Sequence, residues 1–207
     1  MEHRLYSTPI FFQEEALILN HLFENGLPCL HLRKPMATKA DCVDLLKKIN
    51  AKFYARIILH QHLELVEEFN LLGVHLTESA RRALSSEALK QLIETCHAKD
   101  RIIGTAIHQR IDLLTLPKQL DYVTLSPVFP SISKPNYQPT ENWSIHDLSF
   151  PFQLIALGGV NARTLAAAYE RGFKAVAFLG AVWNGKASAL ENYQKLCKKI
   201  QAIDPMR

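Results

Sequence analysis

The chain lacks the marks of several large classes of protein. It has no run of about 18 apolar residues, the length a membrane-crossing helix needs, and its opening MEHRLYSTPIFF lacks the charged-then-apolar order of a secretory signal. A cytoplasmic protein with no membrane partner is expected. Its four cysteines, Cys29, Cys42, Cys96 and Cys197, stand far apart without a C-x-x-C pair. That spacing argues against a zinc knuckle or a disulfide framework and for reduced, mostly buried thiols. Charge of one sign is scarce too. The 24 basic residues against 20 acidic ones leave a formal +4 with no long basic run, so no nucleic-acid partner is implied. Neither a linker nor a low-complexity tract interrupts the 207 residues, and one domain over residues 1–207 is expected.

What is present is an alternation of short apolar runs with longer amphipathic segments, the pattern of βα units on a parallel sheet. Eight units can be counted. Strands are expected at Arg4–Ser7, Cys29–Arg33, Arg56–His60, Gly73–Leu76, Arg101–Ile107, Asp121–Leu125, around Gln153, and at Ala175–Leu179. Between them lie helices from Gln13 to Asn25, Thr38 to Asn50, Leu63 to Phe69, Ser85 or Ser86 to Cys96, Gln109 to Leu116 and Arg163 to Arg171, with a closing helix from Ala187 to Ala202. The fold class is therefore α/β, an eight-stranded parallel sheet closed into a TIM (β/α)8 barrel.

Two stretches point to an anion. QLIALGGVN, Gln153 to Asn161, ends a buried strand in Gly158-Gly159, and KAVAFLGAV, Lys174 to Val182, repeats strand then glycine. Backbone amides at the ends of two adjacent parallel strands can converge on one phosphate. Gly158→Val is expected to weaken such binding far more than folding. The longest irregular stretch, Ser126 to Thr140, holds four of the ten prolines. Its Ser131, Ser133 and Lys134 offer two hydroxyls and a cation suited to a phosphate or pyrophosphate.

Polar residues gather at the strand ends. His31 and Arg33 lie two apart on the second strand and so face one side, His60 ends the third, His75 lies on the fourth and His108 follows the fifth. In a barrel that end carries the chemistry. No histidine pair has the helical spacing of a metalloenzyme, and no metal is expected.

These residues resemble the thiamine phosphate synthase family and its TenI-like members, small (β/α)8 barrels. LHLRKP at Leu30–Pro35 is similar to the family's Q-L-R-x-K, GVHL at Gly73–Leu76 to G-V-H-L, and IGTAIH at Ile103–His108 to G-x-S-x-H. DYVTLSPVFPSISK at Asp121–Lys134 follows D-Y-v-x-x-G-P-v-F-P-T-x-T-K, and IALGGV follows A-I-G-G-I. The resemblance implies a phosphorylated thiazole on the amides near Gly158, Gly159, Leu179 and Gly180. It also places Arg33, Ser131, Ser133 and Lys134 at a leaving pyrophosphate, with His75 in the substrate-binding set mainly as support.

Departures shape the reading. Where the family has N-D-R the chain has His60-Gln61-His62, and G-Q-x-D becomes Thr77-Glu78-Ser79-Ala80. Both aspartates that the resemblance assigns to Mg²⁺ are gone. The motif lysine falls on Pro35, with Lys34 one place early, and the TenI-like histidine after the sixth strand falls on Pro127. A TenI-like barrel of thiamine biosynthesis is expected, a thiazole tautomerase needing no cofactor, with His108 first and His60 second as proton carriers and His31 a further candidate. One alternative is a thiamine phosphate synthase joining a pyrimidine pyrophosphate to the thiazole phosphate, its Mg²⁺ held by Glu64 or Glu78. The other is a non-catalytic binder. A homodimer is left open.

Overall fold

Hydrophobic alternation along eight short segments leaves one way to bury both faces: the strands pair edge to edge in a ring, and helices cover the outside. The computed structural model of the chain describes residues 1–130, 139, 141–184 and 188–204. In chain order the strands are β1 (Glu2–Tyr6), β2 (Leu30–Leu32), β3 (Ile57–Leu59), β4 (Gly73–Leu76), β5 (Ile102–Ile107), β6 (Tyr122–Leu125), β7 (Gln153–Ala156) and β8 (Ala175–Phe178). All pair in parallel, each with its sequence neighbours, and β8 returns to β1 to close the barrel.

The helices are α1 (Glu15–Glu24), α2 (Lys39–Lys48), α3 (Leu65–Glu68), α4 (Glu78–Ala83), α5 (Ser86–His97), α6 (Leu165–Glu170), α7 (Gly180–Trp183) and α8 (Ala189–Ile203). Two 3₁₀ turns, Ala51–Arg56 and Arg110–Thr115, complete the connections. Capping explains where several begin. Thr38 and Asp41 form a reciprocal capping box at α2, and Ser188 and Glu191 do the same at α8.

Packing follows the period of two. Leu5, Leu30, Leu32, Ile57 and Leu59 join Leu19, Leu22, Phe23 and Leu46 in the main apolar cluster between strands and helices. The alternate positions, Tyr6, Ile58, Tyr122, Ile155, Ala175 and Ala177, form a smaller cluster inside the ring. Cys29, Cys42 and Cys96 are buried and Cys197 is half-buried, all four as free thiols.

Several boundaries move. The first strand starts at Glu2, two residues before the expected Arg4, because Glu2 to Leu5 pair with Ala175 to Phe178. The segment expected as a helix from Gln109 to Leu116 is a 3₁₀ turn over Arg110–Thr115. Helix α4, with sequence ESARRA, is an addition. It has no buried residue and hence no apolar period to reveal it, and Thr77 starts it by accepting from Ala80 N at 3.1 Å. No described helix is long and apolar enough to cross a membrane.

Candidate active site at the mouth of the barrel

Every strand sends a residue from its C-terminal end to one cavity of about 220 Å³: Tyr6, Arg33, His60, Thr77 with Glu78, His108, Ser126, Leu157 and Leu179 in strand order, with His75 beneath them. The closed ring produces this convergence, because eight parallel strands end on the same face.

Three of the expected histidines meet. His31 and His75 are buried and His60 is half-buried at the cavity floor. Their ring centroids lie 5.3 Å (His31–His60), 5.3 Å (His31–His75) and 4.3 Å (His60–His75) apart. Tyr6 stacks on His31 at 4.4 Å, and Tyr122 stacks on His75 with its hydroxyl 3.2 Å from Nδ1. Burial holds His31 and His60 well below the usual imidazole range and takes His75 down to about 3, with neighbouring histidines and arginines adding to the effect. All three are neutral at neutral pH. His31 lies under the floor, outside the cavity lining, while His60 lines it.

His108 stands apart from them, at the rim. It is exposed, with Nδ1 2.5 Å from Glu78 Oε2, and Glu78 also accepts from Arg82 Nε at 2.9 Å. Partial burial alone would raise the Glu78 carboxyl, but His108 and Arg82 outweigh it and hold it below the ordinary value. The pair thus joins an ionised carboxylate to an imidazole that can carry a proton.

Just after β7, Gly158 and Gly159 have φ of +84° and +66°, conformations glycine adopts without strain. Asn161 Nδ2 and Thr164 Oγ1 both donate to the Gly159 carbonyl, at 2.8 and 3.0 Å, fixing the turn. The Gly158 and Gly159 amides donate to no backbone carbonyl among the described residues, which leaves both available to an anion. Leu179 lines the cavity and Gly180 opens α7 beside it. The pocket is tight. A side chain on Gly158 would start 2.7 Å from Pro127 Cα, so the Gly158→Val substitution expected to spare folding instead collides with the backbone after β6. Ser131, Ser133 and Lys134 lie outside the described residues.

Lys34 does not reach the mouth. Its ammonium is buried against Glu15, at 2.6 and 2.7 Å from the two carboxylate oxygens. The Mg²⁺ that the resemblance attaches to the synthase finds no matching ligands: Gln61 Nε2 donates to Lys34 O at 2.5 Å, and Ala80 ends in a methyl. Glu64 is exposed and faces Lys39, and Glu78 is engaged by His108 and Arg82. These residues do not fit a hard, oxygen-seeking dication. Tyr6, Tyr122 and Glu15 were not singled out from sequence. Tyr6 could have been found as the residue alternating with Leu5.

Known proteins agree on the fold. A family model described as thiamine monophosphate synthase (TMP-TENI) matches residues 8–182. A thiamine-phosphate synthase from Dictyoglomus turgidum is 26% identical over 196 residues, spanning 90% of this chain and 82% of that one. The crystal structure of a thiamine phosphate pyrophosphorylase from Bacteroides thetaiotaomicron superposes with a TM-score of 0.74 at 30% identity, over 97% of this chain and 98% of the other. A 3-hexulose-6-phosphate synthase, at 15% identity and TM-score 0.69, shares the fold alone. The chain belongs to the thiamine monophosphate synthase family.

Proposed function

We propose that the protein binds a thiazole phosphate at the barrel mouth and joins it to a pyrimidine methyl pyrophosphate, the thiamine-phosphate synthase reaction. The observation that carries this reading is the match to proteins named for that activity along most of their length and most of this chain. The site chemistry is compatible with it. The thiazole phosphate sits on the Gly158, Gly159 and Gly180 amides, and the Arg33 guanidinium at the cavity faces the pyrophosphate. As the carbon–oxygen bond to pyrophosphate breaks, the leaving group keeps the electron pair, and the thiazole nitrogen gives its lone pair to the exposed methylene carbon. Arg33 acts by stabilising charge as it develops on the leaving oxygens.

One observation favours a second reading. The Glu78–His108 pair at the rim can take a proton from one ring position of a thiazole carboxylate phosphate and return it to another, which is a tautomerase step. This needs no metal, and it suits the chain's lack of the two aspartates. The two readings separate by product. Incubation with both substrates yields thiamine phosphate and pyrophosphate under the first, whereas the second isomerises the thiazole alone and loses that activity in His108→Ala. Binding of thiazole phosphate without either reaction would leave a non-catalytic binder.

A further inference from the structure

Three neutral imidazoles facing one another under a cavity are an unusual way to fill a barrel, since such interiors ordinarily take branched aliphatic side chains. One ring nitrogen from each of His31, His60 and His75 lies within 4.8 Å of the other two. His31 Nδ1 and His60 Nε2 face each other at 3.1 Å, while His31 Nε2 and His60 Nδ1 are buried without a hydrogen-bond partner among the described residues. Tyr122 Oη lies 3.2 Å from His75 Nδ1 and 3.4 Å from Val74 O, and with the hydroxyl proton on the carbonyl side His75 Nδ1–H donates to the phenol oxygen. That leaves His75 Nε2 with the free lone pair, held in orientation as metal-bound imidazoles are by their outer partners.

We propose that His31, His60 and His75 form a three-imidazole site for a divalent transition metal, with zinc as the reference ion, opening onto the cavity through His60. Three histidines with an open fourth position are a catalytic-type zinc set, whereas a hard cation such as Mg²⁺ prefers oxygen. At zinc–nitrogen distances of about 2.0–2.1 Å, tetrahedral ligand nitrogens lie about 3.4 Å apart. The separations of up to 4.8 Å therefore close by small rotations of the rings. No sequence spacing betrays the site, because its ligands come from β2, the end of β3 and β4, which adjoin only in the closed sheet. Arg4, 4.1 Å over the Tyr122 ring, and Arg33 at the cavity bring positive charge nearby. The fourth position therefore suits an anion, hydroxide or a phosphate oxygen.

The site uses none of the residues assigned to the coupling reaction and is tested without organic substrates. The untagged full chain is stripped with chelator, then titrated with Zn²⁺ by calorimetry and with Co²⁺ by visible absorption. One ion per chain is expected, with the intense visible bands of tetrahedral cobalt, and Mg²⁺ neither binds nor competes. His60→Ala, at the least buried ligand, weakens zinc binding roughly 100-fold or more, and His75→Gln provides a second variant. His21→Ala, at an exposed helix position, leaves it unchanged. No stoichiometric ion, cobalt without tetrahedral bands in the unaltered chain, or unchanged zinc affinity in a cooperatively melting His60→Ala or His75→Gln protein would overturn the site. A failed coupling assay would leave it standing.

Discussion

Lys34 Nζ sits between both carboxylate oxygens of Glu15, with Thr8 Oγ1 at 3.3 Å and Ile10 O at 3.1 Å completing its shell. Both side chains are almost wholly buried, at 0% and 2% exposure. This pair ties the end of β2 to the start of α1 and removes from the mouth a cation that the motif LHLRKP suggested would stand near it.

Removing one partner strands the other charge in the interior. Glu15→Ala should destabilise the protein by about 3–5 kcal/mol, while the apolar double variant Glu15→Leu/Lys34→Met should recover most of that. Urea unfolding of the two variants reads the difference directly. Equal stability of Glu15→Ala and the unaltered chain would show that the pair is not held in solution.

Arg33 is the cation that does line the cavity. Losing hydrogen bonds from a charged donor is worth about 1.5–3 kcal/mol, so Arg33→Ala should weaken pyrophosphate binding roughly 10- to 100-fold with little change in melting temperature. Calorimetry with pyrophosphate, with and without Mg²⁺, checks this, and Mg²⁺ should add little because Gln61 and Ala80 replace its carboxylates.

Gly158 is better probed by stability than by binding. With φ at +84° and Pro127 2.7 Å from a new Cβ, Gly158→Ala combines left-handed strain with overpacking and should cost about 2–4 kcal/mol. Thermal melting without ligand measures it. An unchanged melting temperature would mean that the β6 and β7 loops separate easily.

His3, on β1, has Nε2 2.9 Å from the Tyr193 hydroxyl. Burial, and then the nearby α-ammonium, takes it down to about 4 from the ordinary imidazole value of about 6.5. The unfolded chain therefore binds the extra proton between those values. The contribution is fully present above pH 6.5 and is lost as pH falls toward 4, by at most about 1.4 kcal/mol per pH unit. His3→Gln should flatten that part of the stability profile, as denaturation at pH 7, 6 and 5 would show.

The barrel was legible because it rests on local patterns: period-two strands such as Leu30–Leu32, capped helices such as the one after Thr38, and glycines that end strands. Gly158 and Gly159 could be picked out for the same reason, since strand-Gly-Gly is contiguous. The grouping of His31, His60 and His75 could be guessed from strand ends, but not the separation that leaves His108 at the rim with Glu78. That depends on α4, a helix with no buried face. The Glu15–Lys34 pair was invisible, because nothing in either segment marks a charge that will be buried against a residue 19 positions away.

The measurement that bears most directly on the proposed activity is a coupling assay with pyrimidine methyl pyrophosphate and thiazole phosphate, run with and without Mg²⁺ and followed by product identification. Formation of thiamine phosphate with one pyrophosphate released per turnover, little affected by Mg²⁺ and reduced in Arg33→Ala, is the predicted result. Bound thiazole phosphate with no coupled product under any of these conditions would contradict it.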